Sequence, residues 1–219
     1  TQQPLPLLVT HERLVHFLII SDDFKHFAHI HPEDFASLDT QKQQGEYMVR
    51  YVFPQAGRYL IAVDSTHEDH AIAKHFTVDV GNFKPTLTVA RDFSSQGIFD
   101  SYSVELDKPE TIRSGEEVEL KYTFTKDGKA VTDIVPYLGA PMHFAITSVD
   151  LATFSHTHGE LHNGELHMGS IGVVGGNWVE SALLADGSTE GTSADHTQAM
   201  QLPSQFGPDV FVHYAFPNA

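Results

Sequence analysis

One motif occurs twice in the chain without a gap, and it constrains the fold more than any other feature. Residues 15–32 read VHFLIISDDFKHFAHIHP, and residues 142–158 read MHFAITSVDLATFSHTH. At a constant offset of 127 residues, both copies contain the pattern H-F-x-I-x-S-x-D-x-x-x-F-x-H-x-H. A long motif that recurs at this spacing in 219 residues predicts one structural unit that is used twice.

The apolar and polar positions of the chain alternate as they do in β-strands. Residues 14–20 predict a buried strand, which is followed by an acidic turn and by a second strand at residues 27–31. A hairpin is expected further on, with residues 47–53 pairing with residues 58–64 across a Pro-Gly turn. Helical periodicity is not convincing in any segment. Short strands separated by Gly and Pro turns predict an all-β sandwich fold.

The repeat also predicts how the chain is divided. We expect a first unit at residues 1–82 and a second at residues 83–219, with a Gly- and His-rich insert at about 159–205. The C-terminal strand resembles the segment around residues 53–54, with residues 216–217 aligned to them at an offset of 163 instead of 127, which places the insert before this strand. By this comparison, the first unit lacks strands at its N-terminus and the second lacks strands at its C-terminus. We therefore expect either that the natural protein extends beyond both ends of this sequence, or that the open sheet edge takes up a protein partner or an exchanged strand.

The histidines of the motif have the spacing of a metal site. In a strand, His29 and His31 share one face and lie ~6.5–7 Å apart, and imidazoles can converge on one ion with metal–nitrogen bonds of ~2.0–2.1 Å. If the two strands of the motif pair antiparallel, His16 lies opposite this pair. Three imidazoles and one open position suit zinc or divalent copper. The second copy predicts the same set from His143, His156 and His158.

The insert supplies further candidate ligands. His162, His167 and Met168 lie close together in the sequence. A thioether beside imidazoles suits monovalent copper, which is a soft ion. A polar surface loop explains the same residues without a metal.

Comparing the two copies of the motif position by position also gives expectations for residues that are not candidate ligands. His26 has Thr153 as its counterpart, so we expect His26 not to bind metal. Phe27 and Phe154 occupy the same repeat position and are both expected to lie in the core.

Composition excludes several kinds of site and partner. The chain has no cysteine, which excludes disulfides, thiolate zinc sites and blue copper. Its net charge of −16 argues against nucleic acid and anionic membranes as partners. The apolar run at residues 14–20, which His16 interrupts, is too short to span a bilayer. The sequence also lacks the G-x-S-x-G, P-loop, H-E-x-x-H and G-x-G-x-x-G signatures, so we expect a protein that is not an enzyme.

The repeated string also carries a family resemblance. With G-A-P-M before its second copy and F-P-x-A-G after its first, it resembles bacterial secreted or membrane-anchored β-sandwich proteins associated with copper and other heavy-metal handling. The resemblance implies two Ig-like or cupredoxin-like β-sandwich units and a periplasmic or extracellular location. It implies metal-ligand roles for His16, His29, His31, His143, His156 and His158.

The sequence therefore predicts a secreted or periplasmic metal-binding protein that sequesters or delivers copper, with zinc as the competing ion. Two alternatives stay open. One is a structural or adhesion β-sandwich module without metal. The other is a metal-dependent enzyme with an open His-ligated site, which would need a nearby carboxylate as a base, and Glu160 follows the second histidine pair closely.

Overall fold

The chain is built almost entirely from β-strands. The computed structural model describes residues 4–68, 70–83, 93–161, 171–174, 177–180 and 202–217, and at 171–174 and 177–180 it describes the backbone alone. Within these ranges there are thirteen strands, one α-helix and one 3-10 helix. The predicted all-β class is confirmed. None of the helices in the described ranges is long and apolar enough to cross a membrane.

The strands form three antiparallel sheets. The first has the order β2-β1-β3-β4, the second β12-β11-β10-β9, and the third β13-β7-β6-β5 with β8 paired to β7. In chain order the elements are β1 (Val15–Ser21), β2 (Phe27–Ile30), the 3-10 helix (Pro32–Asp34), α1 (Leu38–Gln44), β3 (Gly57–His67), β4 (His70–Val80), β5 (Gln96–Phe99), β6 (Tyr102–Asp107), β7 (Glu117–Lys126), β8 (Lys129–Ala130), β9 (His143–Thr147), β10 (Thr153–His158), β11 (Ile171–Val174), β12 (Asn177–Glu180) and β13 (Asp209–Ala215).

The chain divides into two compact units. Unit 1 contains the described residues of the ranges 1–93, 145–156 and 171–179. Unit 2 contains those of the ranges 94–144, 157–170 and 180–219. Unit 1 thus takes up residues from both copies of the motif. The division at residues 82 and 83 follows the repeat in the sequence and stays a prediction.

The core of unit 1 lies on one face of the first sheet. Directly opposed residues of antiparallel strands share a face, and β1 pairs Leu18 with Ala62 and Ile20 with Leu60 of β3. Residues of the second copy cover this face. The buried cluster consists of Leu18, Ile20, Leu60, Ala62, Leu151 and Phe154.

The two phenylalanines of the repeat differ in their environments. Phe154 is buried, with 3% of its surface exposed, as predicted. Phe27 is 58% exposed, so the prediction that it lies in the core is wrong. Phe27 is the first residue of β2, which is the edge strand of its sheet, and that position lacks a neighbouring strand on one side.

The predicted hairpin of residues 47–53 is also wrong. These residues have no strand structure, and β3 instead pairs with β4 over eleven consecutive residues, from Gly57 opposite Val80 to His67 opposite His70. Since β1 occupies the other edge of β3, no edge is left for residues 47–53. The chain before them forms α1, which was not expected. This helix ends at Gly45, whose φ of 67° is the left-handed conformation favoured by glycine at helix ends.

Unit 2 is organised around β7, which lies between β13 and β6. Its core includes Val210 and Val212 of β13, both fully buried. Gly159 lies so close to Val210 that a Cβ atom there would overlap the valine side chain. Glycine is therefore required at this position by close packing. A tight turn joins β7 to β8, with Lys126 paired to Lys129.

Candidate metal centre

The first β-hairpin brings three histidines of unit 1 together. β1 and β2 pair antiparallel with Leu18 opposite His29 and Phe17 opposite Ile30. Continuing this register places His31 opposite His16. The predicted hairpin, with His16 facing the H-x-H pair, is confirmed by this pairing. The three imidazoles lie at the end of the sheet face that carries the core.

One nitrogen of each ring points to a common centre. Nδ1 of His16 lies 3.1 Å from Nε2 of His29. Nε2 of His31 lies 3.2 Å from each of these two atoms. The three nitrogens therefore form a nearly equilateral triangle.

Hydrogen bonding alone does not explain this triangle. An imidazole nitrogen carries either one proton or one lone pair in the ring plane, so one proton can join only two of the three atoms. A metal ion accepts all three lone pairs at once. With bonds of ~2.0–2.1 Å, tetrahedral coordination separates the nitrogens by about 3.3 Å, close to the separations in the protein. The cluster of His16, His29 and His31 could hold a metal ion.

Neighbouring groups orient two of the rings. Nε2 of His16 lies 3.1 Å from the carbonyl oxygen of Thr10, so this nitrogen donates its proton and Nδ1 keeps the lone pair that faces the cluster. Nδ1 of His31 lies 3.5 Å from a carboxylate oxygen of Asp34. The same oxygen accepts the backbone N–H of His31 at 2.9 Å. Carbonyl and carboxylate partners of this kind orient ligating histidines in metal sites.

Burial favours the neutral form of two of the three imidazoles. His16 and His31 are each only 2% exposed. Burial lowers the pKa of His16, an effect that the nearby Asp64 carboxylate partly offsets. Burial also lowers the pKa of His31, and the proximity of His16 lowers it further. Because metals bind the neutral imidazole, these shifts favour ligation at neutral pH.

A fourth histidine of unit 1 lies beside the triangle. His156 of β10 is 4% exposed, and its Nδ1 donates a hydrogen bond of 2.7 Å to a carboxylate oxygen of Asp64. Its ring centroid lies 5.1 Å from that of His29 and 5.5 Å from that of His16. Asp64 is the β3 residue directly opposite His16. These contacts within unit 1 associate His156 with the histidines of the first copy.

The remaining histidines of the second copy lie in unit 2. The rings of His143 and His158 meet edge to face, with centroids 4.6 Å apart. Nε2 of His143 donates to the carbonyl oxygen of Tyr137 at 2.9 Å. The predicted triad of His143, His156 and His158 stays a prediction. The candidate ligands His162, His167 and Met168 lie outside the described residues.

Sequence reasoning missed several residues around the site. His11 lies in a turn beside it, and burial, followed by the proximity of His16 and His156, lowers the pKa of His11 to about 4. The turn also supplies Thr10, and β3 supplies Asp64. None of these positions belongs to the repeated motif, so the repeat gave no signal for them. Asp64 could have been found only from the register between β1 and β3.

The fold and the site define a class: an all-β protein with a buried histidine cluster that could hold a metal ion. The family described as "Domain of unknown function (DUF8832)" matches residues 2–82 and 96–175, and the chain belongs to this family. The two matched segments confirm the internal repeat. No curated protein and no solved structure matches the chain significantly.

Proposed function

We propose that the protein binds a transition-metal ion through His16, His29 and His31, and that it sequesters or delivers this ion. The observation that carries the proposal is the triangle of three imidazole nitrogens with sides of 3.1–3.2 Å. The burial of His16 and His31, which lowers the pKa of both, supports it, because a neutral imidazole does not have to lose a proton when the ion arrives.

Copper is the first candidate for this ion and zinc is the second. The chain has no thiolate to offer, so the site relies on imidazoles, which suit both metals. Among divalent first-row ions, copper generally binds nitrogen ligands more tightly than zinc. The resemblance to secreted copper-handling proteins supports the same choice and a periplasmic or extracellular location.

Titration of the metal-free protein with divalent copper and with zinc tests the proposal. We expect tight binding, with copper displacing zinc. The double substitution His29→Ala and His31→Ala should remove one tight site. His70→Ala is the matched control, because His70 is an exposed histidine of the same unit at the start of β4.

Two results would overturn the proposal. One is metal-free protein that takes up neither ion. The other is a double variant that binds as many ions as the wild type with the same affinity. Circular dichroism of each variant confirms that the strands have formed before binding is compared.

A further inference from the structure

We infer that His156 supplies a fourth nitrogen to the same metal ion, with Asp64 as the residue that positions it. This inference rests on the proposed function and specifies its coordination. The site would then combine three histidines of the first copy of the motif with one histidine of the second copy, all within unit 1.

The ring positions fit four imidazoles around one ion. A ring centroid lies about 1.1 Å behind its ligating nitrogen, so four rings in tetrahedral coordination have centroids about 5.2 Å apart. The centroid of His156 lies 5.1 Å from that of His29 and 5.5 Å from that of His16. The three pairs within the triangle measure 5.3 Å for His16–His29, 5.0 Å for His16–His31 and 4.6 Å for His29–His31. The separations of His156 from His16 and from His29 are therefore those expected of a fourth ligand.

Asp64 fixes which nitrogen of His156 faces a metal. Because Nδ1 of His156 donates its proton to the Asp64 carboxylate at 2.7 Å, the lone pair is on Nε2. A carboxylate bonded to a ligating histidine orients the ring and makes its other nitrogen a stronger donor. The second carboxylate oxygen of Asp64 is buried and has no hydrogen-bond partner among the described residues. Its negative charge would offset part of the charge of a cation bound next to it.

The ion would draw His156 closer to the other ligands. A ligand nitrogen of His29 and one of His156 lie within 4.8 Å of each other. In a four-nitrogen tetrahedral site this separation becomes about 3.3 Å. A small movement of the His156 ring toward the triangle would bring about this change, and Asp64 can follow as a hydrogen-bond acceptor.

A fourth protein ligand also decides between binding and catalysis. Catalytic zinc sites keep one position open for water or substrate, whereas structural sites have four protein ligands. With His156 bound, the ion has no open position in tetrahedral coordination. The site is then suited to holding and transferring the ion, and the alternative of a hydrolytic or oxygen-activating enzyme is disfavoured.

X-ray absorption of the zinc-loaded protein tests the inference directly, since zinc adopts tetrahedral coordination readily. We expect four histidine nitrogens at about 2.0–2.1 Å in the wild type. His156→Ala should keep one zinc ion at this site, with three histidine nitrogens and one water oxygen, and its affinity should fall at least 10-fold. Asp64→Asn should keep four nitrogens and lose about 10- to 100-fold in affinity. His70→Ala, measured in the same way, should match the wild type.

The outcomes separate this inference from the proposed function. Wild-type protein that binds zinc through three histidines, with an affinity unchanged in His156→Ala, overturns the inference and leaves the proposed function intact. Wild-type protein that binds no metal overturns both. If His156→Ala does not fold, the number of nitrogens in the wild-type protein still decides the question.

Discussion

His16 has two ring nitrogens with different partners, and this difference determines its chemical role. The Thr10 carbonyl takes the proton of Nε2, so Nδ1 faces the other histidines with a lone pair. Thr10 is held in place by a tight turn, in which the backbone groups of Thr10 and Arg13 bond to each other at 2.9 and 3.1 Å. The tautomer of a ligand is thus set by a backbone group outside the repeated motif.

At the residue scale, the first prediction concerns pH and metal affinity. Because burial lowers the pKa of His16 and His31, these two rings reach half-protonation only at a pH below 6.5, the ordinary histidine value. We therefore expect copper affinity to fall mainly at pH values below 6.5, where protons begin to compete with the ion for these two rings. Competition titrations at half-unit pH intervals would measure this. A steep loss of affinity that begins above pH 6.5 would contradict the prediction.

A second prediction at this scale concerns His11. Burial lowers its pKa in the folded protein to about 4, whereas the unfolded chain titrates near 6.5. The unfolded state therefore takes up a proton first, so this residue's contribution to stability is complete above pH 6.5 and is lost as the pH falls toward 4. In metal-free protein, the loss should be about 1–3 kcal/mol.

The variant for this test is His11→Asn, because asparagine tolerates the φ of 48° at this position. Urea unfolding at pH 7 and at pH 4.5 would compare the two proteins. The variant should lose less stability than the wild type over this interval. Equal losses would show that His11 does not titrate as expected.

The residues of the candidate metal centre differ in whether the sequence could predict their positions. Alternation along a strand placed His29 and His31 on one face, and the length of the connection to β1 placed His16 opposite them. Asp64 and Thr10 could not be predicted, because their proximity to the cluster depends on register and on a turn with positive φ at non-glycine residues. Sequence patterns identify a shared face far better than they identify a neighbouring strand.

At the scale of elements, the turn after the first strand of the motif has the same structure in both copies. Oγ of Ser21 donates to Asp23 at 2.7 Å and accepts the backbone N–H of His26 at 2.9 Å. The hydrogen bond from Ser21 is the main cause that lowers the pKa of Asp23 to about 2. The second copy forms the equivalent bonds among Ser148, Asp150 and Thr153, at 2.6 and 3.0 Å. The recurring serine and aspartate therefore define a turn.

The corresponding prediction is that Ser21→Ala weakens this turn. The substitution removes a hydrogen bond to a charged group and leaves the N–H of His26 without its acceptor, which should destabilise the protein by about 1–3 kcal/mol. Urea unfolding at pH 7 would measure the change. Ser65→Ala on β3 of the same unit serves as the control and should have a smaller effect. If both substitutions lower the free energy of unfolding equally, the turn has no special role in stability.

Strand pairing limits what can be predicted for elements. The β1–β2 hairpin followed from its short connection, but the strand expected at residues 47–53 does not form, because β1 and β4 occupy both edges of β3. Which strands pair with the two edges of β3 depends on all strands of the sheet, so no local sequence pattern predicts this pairing. The helix α1 was missed because its sequence, LDTQKQQ, is polar and has only one buried residue, Gln41.

At the scale of the whole molecule, the repeat in the sequence and the compact units divide the chain differently. The family matches at residues 2–82 and 96–175 follow the repeat. Unit 1 nevertheless includes residues 145–156, which cover the core face of the first sheet. The sequence could predict two copies of a motif, but not that strands of one copy pack on those of the other within one unit.

The prediction at this scale is that metal stabilises the folded protein. A ligand that binds only the folded state at 100 times its Kd adds about 2.7 kcal/mol to the free energy of unfolding. Thermal unfolding with and without copper should therefore show a higher Tm with the ion. The double substitution His29→Ala and His31→Ala should reduce this increase. An increase of the same size in the double variant would indicate that copper stabilises the protein through other residues.

The uninterrupted pairing of β3 with β4 also restricts which changes in chain length the protein can accept. Side chains alternate between the two faces of a strand, so one residue inserted between Leu60 and Asp64 would turn Asp64 to the opposite face. The hydrogen bond from His156 would be lost, although the sheet itself could still form. Loops that connect the strands tolerate insertions far better. Family members that retain this carboxylate–histidine pair should therefore differ in loop length but keep the same number of residues between the core and the site.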